Sequence, residues 1–233
     1  MEASRLVVTS VTKSFSTAGE PLEVLSGVDL SLAAGQSVAI VGPSGSGKTT
    51  LLQILGTLDE PDSGEVQIAG EDPFSLGPTE RAGFRNRHIG FVFQDHHLLP
   101  QLSVLDNVLI PALAAGRPDG ETVSRAESLI ESVGLGDRIT HRPAELSGGQ
   151  RERVAIARAL VMEPDVILAD EPTGNLDAKT ASEVTALLRQ LQSDRGVVLV
   201  AVTHSRALAT AMDRCFELRE GQLVRDAAFE NVT

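Results

Sequence analysis

The sequence contains no tryptophan and no tyrosine, and seven phenylalanines supply all of its aromatic side chains. A single cysteine, Cys215, excludes an internal disulfide and any zinc site built from several cysteines. We expect it to be a small buried apolar side chain rather than a reactive thiol. Basic residues are also few, since 20 Lys and Arg stand against 32 Asp and Glu and give a net charge of −12. This balance argues against nucleic acid as a partner, because phosphate backbones need clustered basic side chains.

Long apolar runs are missing as well. The longest stretches, such as residues 197–202, are far shorter than the ~20 residues that a membrane helix requires. The first residues show no basic segment followed by an apolar one, as a signal peptide would. We therefore expect a cytoplasmic protein that does not cross a bilayer by itself. Its 233 residues suffice for one domain or for two closely joined lobes.

The apolar pattern alternates between strand-like and helix-like periods. Short β-branched runs occupy residues 6–9, 38–41, 66–69, 89–93, 166–169 and 197–202. Several are continuously apolar, as in strands that are buried on both faces of a parallel sheet. After Asp177 the period becomes helical, and one stripe is formed by Val184, Leu187, Leu188 and Leu191, with Gly196 as a stop signal. The alternation predicts an α/β fold.

Two regions interrupt this alternation. Roughly the first 35 residues, together with residues 65–70, predict an antiparallel sheet with turns at 34–35 and 62–64. Residues 94–162 predict helices and loops without a strand, broken by Pro100, Pro111, Pro118 and Pro143. We interpret 1–233 as a single domain, in which 1–93 and 163–233 form the core and the antiparallel sheet. Residues 94–162 are then an inserted helical lobe.

A glycine-rich loop follows the predicted strand at 38–41. It fits the pattern G-x-x-x-x-G-K-[ST] of phosphate-binding loops and leads into an apolar helix. Its backbone N–H groups would point at the β-phosphate, while Lys48 would bridge the β- and γ-phosphates and Thr49 would ligate Mg²⁺. The alternative is a plain glycine-rich turn, but the strand before and the helix after favour nucleotide binding. The predicted nucleotide ligands here are Gly42, Pro43, Ser44, Gly45, Ser46, Gly47, Lys48, Thr49 and Thr50.

Two adjacent acids end the apolar run at 166–169. Neighbouring side chains of a strand point in opposite directions, so the two carboxylates can have different roles. Asp170 suits the coordination of Mg²⁺, and Glu171 can polarise the water that attacks the γ-phosphate. Taken alone the pair could be an ordinary strand end, and the phosphate loop is what favours the functional interpretation.

A second anion site is indicated by the run Leu-Ser-Gly-Gly-Gln that precedes a helix. Ser147 is placed to cap the helix, and the glycine N–H groups and the helix dipole would face negative charge. A bare pentapeptide of this kind could also be a simple loop-to-helix cap. The residues of this signature that we expect to bind nucleotide are Ser147, Gly148, Gly149 and Gln150.

In this order and spacing the three motifs resemble those of ATP-binding-cassette (ABC) ATPases. The resemblance implies a P-loop NTPase fold of the ABC ATPase type, with a RecA-like core, an antiparallel β subdomain and an inserted α-helical subdomain. It also implies that Gln94 reaches Mg²⁺ and the attacking water and that His204 contacts the γ-phosphate. Asp177 would contact the opposite subunit, or only cap its helix. Phe15 occupies the place of the tyrosine that commonly stacks on adenine.

In ABC ATPases one ATP lies between the phosphate loop of one subunit and the signature of another. Since this chain has one copy of each, we expect two chains to form a head-to-tail dimer around two Mg-ATP. The charge of −12 on each chain predicts a weak dimer without nucleotide.

The segments 55–59, 63–66, 90–107 and 170–177 are similar to those of lipoprotein-releasing (LolD-like) and macrolide-exporter (MacB-like) ATPases. This similarity implies a peripheral ATPase subunit on the cytoplasmic face of the inner membrane, which drives a separate integral-membrane permease. Leu98, Leu99 and Leu102 would anchor that permease, or else pack within the helical lobe. Two alternatives stay open, namely a cell-division-type ABC ATPase that transmits force without cargo and a soluble ATPase of DNA repair or translation. The second lacks support, because the chain has no coiled coil, zinc module or second cassette.

Overall fold

A computed structural model describes residues 4–16 and 21–225. Its strands are β1 (Ser4–Phe15), β2 (Leu22–Ala33), β3 (Ser37–Val41), β4 (Ser63–Ile68), β5 (Ile89–Phe93), β6 (Val166–Asp170), β7 (Val198–Val202), β8 (Arg214–Arg219) and β9 (Gln222–Arg225). Its α-helices are α1 (Lys48–Leu55), α2 (Pro78–His88), α3 (Val104–Ala115), α4 (Gly120–Ser132), α5 (Gly148–Leu160), α6 (Ala178–Arg195) and α7 (Arg206–Thr210). Short 3₁₀ turns lie at Pro73–Ser75, Gly136–Arg138 and Pro143–Glu145.

The strands form two sheets. Six of them have the order β5-β6-β7-β3-β8-β9, in which neighbours are parallel except for β9, which forms an antiparallel hairpin with β8. The other three form an antiparallel sheet in the order β2-β1-β4. Both the α/β fold and the antiparallel sheet predicted from the sequence are therefore confirmed.

The larger sheet is covered on both faces, which explains its continuous apolar runs. Along β7, Leu199 and Ala201 join an apolar cluster with α3 to α7, whereas Val198, Val200 and Val202 join a second cluster with α1, α2 and the antiparallel sheet. Each face thus has a core of its own, and the strand ends are left to form loops at the two edges.

Helices α3, α4 and α5 occupy residues 94–162, and no strand lies in this range, all of which the structure describes. The division into a core and an inserted lobe stays a prediction. One expectation is wrong, because Pro111 lies inside α3 and does not break it. Packing compensates for the missing N–H group, since neighbouring residues of α3 are buried and Asn86 of α2 donates a hydrogen bond to the Pro111 carbonyl at 3.0 Å.

The expectation about the single cysteine is confirmed. Cys215 is buried in β8, as a small apolar side chain would be. Among residues 4–16 and 21–225, no helix has both the length and the apolar character that a membrane crossing needs.

Candidate functional site

The phosphate loop joins the end of β3 to the start of α1, beside the antiparallel sheet. Gly47 is the residue that caps α1, and its φ of 99° lies in the left-handed region. A Cβ atom at this position would lie 2.7 Å from Cγ1 of Val24 in β2. Only glycine therefore fits here, and the backbone can wrap closely around the helix N-terminus.

Lys48 lies beneath this loop and is only 7% exposed. Its Nζ donates hydrogen bonds to the carbonyls of Gly42, at 3.0 Å, and Pro43, at 2.8 Å. Burial lowers the pKa of the Lys48 ammonium, while the negative charges of Glu171 and Asp170 act in the opposite direction. The loop thus holds one cation in front of two carboxylates.

The two acids end β6 and differ in their surroundings. Burial raises the pKa of the Asp170 carboxyl, and the positive charge of Lys48 opposes that shift. Glu171 has a left-handed φ of 46° and donates its N–H to the Val202 carbonyl at 2.9 Å. Its Oε2 accepts a hydrogen bond from Thr203 Oγ1 at 3.1 Å, and its Oε1 lies 3.7 Å from His204 Nε2. The Glu171 carboxylate is thereby held against the exposed imidazole of His204.

Gln94 follows β5 at the same edge of the sheet. Its carbonyl accepts a hydrogen bond from Asn175 Nδ2 at 3.2 Å, and its Nε2 lies 3.5 Å from Asn175 Oδ1. Gly174, in turn, donates its N–H to the Glu171 carbonyl at 3.0 Å. The segment 171–175 therefore connects Gln94 with Glu171. Five of the predicted residues thus lie at the carboxyl ends of the parallel strands β3, β5, β6 and β7, namely Lys48, Gln94, Asp170, Glu171 and His204.

The signature lies at the N-terminus of α5. Ser147 Oγ accepts a hydrogen bond from the Gln150 N–H at 3.3 Å, and the Ser147 N–H donates to Gln150 Oε1 at 2.9 Å. This reciprocal pair is a capping box. A Cβ atom on Gly149 would lie 2.3 Å from Cγ2 of Thr180, so α5 and the first turn of α6 are in close contact.

Asp177 caps α6 next to this contact. Its Oδ1 accepts hydrogen bonds from the N–H groups of Lys179 and Thr180 at 3.1 Å, and its Oδ2 accepts one from Thr180 Oγ1 at 2.6 Å. The hydrogen bonds from Thr180 lower the pKa of the Asp177 carboxyl. The capping role expected of Asp177 is confirmed, while its contact with a second subunit stays a prediction.

Not every predicted residue joins the cluster at the strand ends. Among the described residues, no hydrogen bond or ion pair links the signature at Ser147–Gln150 with the phosphate loop. Phe15 ends β1, is 41% exposed and carries Lys13 Nζ at 5.5 Å from its ring centroid. It pairs with Leu22 of β2, two residues before the Val24 that contacts the phosphate loop. The residues of the two predicted half-sites therefore lie in two separate places on one chain.

Two residues that hold this edge were not predicted from the sequence. Thr203 is fully buried and fixes Glu171, and Asn175 fixes the backbone of Gln94. Both are polar and adjacent to predicted motif residues, which is the only signal the sequence offers. Their partners lie 32 and 81 positions away in the chain, so their contacts depend on the fold.

Comparisons with known proteins agree with this geometry. A family model described as ABC transporter matches residues 25–174. The lipoprotein-releasing system ATP-binding protein LolD 1 of Rhodopirellula baltica is 67% identical over 96% of this chain and 98% of its own length. The macrolide export ATP-binding/permease protein MacB of the same organism is 49% identical over 92% of this chain and 32% of its own length.

The fold is found among solved structures too. A dimeric ATP-binding cassette in a post-hydrolysis state, bound to ADP and Pi, is 40% identical and covers 94% of this chain and 97% of its own, with a TM-score of 0.83. Its likeness confirms the ABC ATPase fold expected from the sequence. With the match of the family model and the relative at 67% identity, it shows that this chain belongs to the ABC transporter family, as a LolD-type ATP-binding subunit with ATPase activity.

Proposed function

We propose that two copies of this chain enclose two ATP molecules head to tail and drive a separate membrane permease in lipoprotein release. The separation of the two half-sites carries this proposal, because Lys48 and Glu171 lie at one edge of the sheet and Ser147 begins α5 without a bond to them. A second copy supplies the missing half by presenting its own signature. The solved cassette at a TM-score of 0.83 is itself dimeric, which supports the same arrangement.

Each residue of the phosphate half-site has a role that its surroundings support. The phosphate loop and Lys48 bind the β- and γ-phosphates, and His204 binds the γ-phosphate beside Glu171. Glu171 accepts the proton of the attacking water, for which its carboxylate is oriented by Thr203. The left-handed backbone of Glu171 is an energetic cost of about 1 kcal/mol, which fits a residue held for function.

The oxygen atoms at this edge fit Mg²⁺. They are the Thr49 hydroxyl, the Asp170 carboxylate and the Gln94 amide oxygen, and Mg²⁺ binds through one or two such groups together with phosphates. The half-buried Asp170 carboxylate next to Lys48 is the charged member of this set. When bound, Mg²⁺ neutralises charge on the phosphates.

In the second half-site, Ser147, Gly148, Gly149 and Gln150 receive the γ-phosphate of the partner's ATP. The capping box leaves the glycine N–H groups at the positive end of α5, which favours an anion. Phe15 stacks on adenine with its ring face alone, since the chain has no tyrosine to add a hydroxyl. We therefore expect weak discrimination between ATP and GTP.

A groove of about 1130 Å³ lies between α2, α3, α5 and β5 and supports a permease partner. Its walls are mainly apolar and include Phe84, Phe91, Phe93, Leu99, Pro111 and Met162. Leu99 is half exposed in the groove, as an anchor should be, whereas Leu98 packs against the apolar cluster of the helices. An amphipathic helix of a permease fits such a surface. We propose that the protein lies beside that permease at the cytoplasmic face of the inner membrane.

The dimer is tested with Glu171→Gln, which retains ATP because hydrolysis is blocked. Size exclusion in Mg-ATP should show a dimer for this variant and a monomer without nucleotide. Adding Ser147→Arg in the same chain should return the monomer, because the signature can no longer receive phosphate. Glu127→Gln on the exposed face of α4 is the control and should leave ATPase activity and association unchanged.

Either of two outcomes contradicts the scheme. One is a Glu171→Gln protein that stays monomeric in ATP, and the other is a dimer that Ser147→Arg does not dissociate.

The permease is tested by purifying the chain together with its membrane partner. Leu99→Glu should abolish this co-purification and leave the ATPase activity of the isolated subunit intact. A partner without a path for lipoprotein would contradict release and favour a force-transmitting ATPase of the cell-division type.

A further inference from the structure

A cluster of three ionisable side chains, two of them buried and one partly buried, lies outside the nucleotide half-sites. They are His96, which follows Gln94 by two residues, and Glu152 and Arg158, which both belong to α5. Glu152 is fully buried and His96 is 8% exposed. His96 Nδ1 lies 2.6 Å from Glu152 Oε2, within the range of an ion pair.

Arg158 binds the backbone of the turn that contains His96. Its guanidinium donates hydrogen bonds to the carbonyls of His96, at 2.6 Å, and His97, at 2.8 Å. Both histidines have left-handed φ angles, of 59° and 47°, which side-chain-bearing residues rarely adopt. The turn at 95–97 is thus kept in an unfavourable conformation by contacts from α5.

The charges of this cluster depend on one another. Burial raises the pKa of the Glu152 carboxyl, and the neighbouring His96 and Arg158 act in the opposite direction. A carboxylate removed from water is tolerated only near compensating positive charge, which His96 and Arg158 can supply to Glu152. Such an arrangement would be costly if its sole purpose were packing.

We propose that Glu152 and Arg158 are positioning residues, through which α5 fixes the turn at 95–97 and thereby holds Gln94 in a set relation to the signature at Ser147. The inference rests on the roles proposed above for Gln94 and Ser147. Those two residues belong to segments that are 53 positions apart in the sequence, and the cluster is the direct polar connection between the turn and α5.

The same cluster borders the permease groove. His97 and Arg158 both line it, next to Phe93 and Leu99. A helix seated in the groove therefore touches the residues that hold Gln94 and the signature together.

The test compares Glu152→Leu with the conservative Glu152→Gln, using full-length protein. Leucine removes the carboxylate that lies against His96, so the turn at 95–97 keeps only its contacts with Arg158. We expect kcat to fall about 10-fold, as a small displacement of a reacting group does, with KM for ATP within about twofold because Lys48 is not touched. Glutamine keeps an oxygen toward His96 and should restore kcat to within about threefold of the wild type.

A matched control lies at the opposite ends of β5 and β6. His88 Nδ1 contacts Asp165 Oδ2 at 2.5 Å, in a similar histidine–carboxylate pair that is far from Gln94 along both strands. His88→Asn should lower the urea midpoint of unfolding and leave kcat and KM unchanged. If Glu152→Leu does not fold, Arg158→Lys serves in its place, since lysine keeps the charge but cannot bridge both carbonyls.

The results separate this inference from the proposed function. If Glu171→Gln abolishes hydrolysis while the Glu152 and Arg158 variants alter only the urea midpoint, the positioning role is wrong and the proposed function stands. A rise in KM at constant kcat also overturns the positioning role. If Glu171→Gln still hydrolyses ATP, the proposed function itself fails.

Discussion

The two ends of β5 and β6 carry similar side chains and differ in what those side chains support. At the amino ends, His88 and Asp165 precede the strands and contact each other, and Asp165 also contacts Arg5. At the carboxyl ends, His96 and Glu152 form a comparable pair, yet one of them lies two residues from Gln94 and the other belongs to the signature helix. Parallel strands place their loops for chemistry at the carboxyl edge, so the same pair stabilises the fold at one end and orients functional groups at the other.

The distribution of charge also differs between the carboxyl edge and the rest of the chain. The chain carries −12 overall, but at the carboxyl edge a buried lysine and the N-termini of α1 and α5 present positive potential. The predicted phosphate site therefore draws its positive potential from one lysine and two helix N-termini in an otherwise acidic protein. The comparison predicts that substitutions at the carboxyl edge alter kinetics, whereas those at the amino edge alter stability.

The largest effect is expected for Lys48→Ala. Removing this ammonium leaves Asp170 and Glu171 without their counter-charge and the phosphates without a ligand, so ATP hydrolysis should fall at least 100-fold. Phosphate release at saturating Mg-ATP measures it. Arg5→Ala, at the amino edge, should retain wild-type kcat, and equal losses in both variants would break the comparison.

The converse effect is expected for Asp165→Asn. The change weakens the contacts of a largely buried carboxylate with Arg5 and His88 and should lower the free energy of unfolding by about 2 kcal/mol. Urea unfolding measures this loss, and ATPase assays below the transition should give unchanged kcat and KM. A kinetic defect in this variant would show that the amino edge also serves the reaction.

A smaller effect is expected at two helix caps. Asp177→Ala and Asp119→Ala each remove side-chain acceptors for N–H groups, of α6 and α4 respectively, and should each lower the free energy of unfolding by less than Asp165→Asn does. Hydrogen bonds lower the pKa of both carboxyls, so their stabilisation is present above the ordinary value and is lost as pH falls through the lowered pKa. Urea unfolding at neutral and acidic pH should therefore show both differences shrinking together.

Of these two variants, only Asp177→Ala should also weaken the ATP-dependent dimer. Size exclusion in the Glu171→Gln background distinguishes the caps. Equal association of both variants would remove Asp177 from the interface and leave it as a cap alone.

The smallest effect is expected for Phe15→Ala. Loss of one stacking surface should reduce ATP affinity about fivefold, equivalent to ~1 kcal/mol. Fluorescent-nucleotide titration measures this, with Phe15→Tyr as the control that keeps the ring. Comparable turnover of GTP and ATP by the wild-type chain would agree with recognition through stacking, whereas strong preference for ATP would point to a base contact elsewhere.

The elements that the sequence predicted well are those with a strong apolar period. The run at 89–93 became β5 without a change of bounds, and the stripe after Asp177 became α6 with Gly196 at its end. Helix α2 was missed because Phe84 is its only buried residue and a polar helix shows no such stripe. Pro111 misled the prediction, since tertiary packing of α3 outweighs the local cost of proline.

The candidate site divides in the same way. Its motifs were readable because a phosphate loop or a signature is a local sequence in which glycine and hydroxyl residues have fixed places. Glu152 and His96 are 56 positions apart, and Thr203 and Glu171 are 32 positions apart. No local sequence pattern predicts either contact. Such positioning contacts become visible only when the strands are set side by side.

Gly149 shows how closely two parts of the nucleotide machinery are joined. Because even a methyl group at this position would collide with Thr180, the start of α5 rests directly on the first turn of α6. This contact links the Ser147 cap of α5, which would bind a neighbour's phosphate, to the Asp177 cap of α6, which would face the same neighbour. When such a dimer closes or opens, we expect α5 and the first turn of α6 to move together. Phosphate binding by Ser147 and subunit contact by Asp177 would then change at the same time.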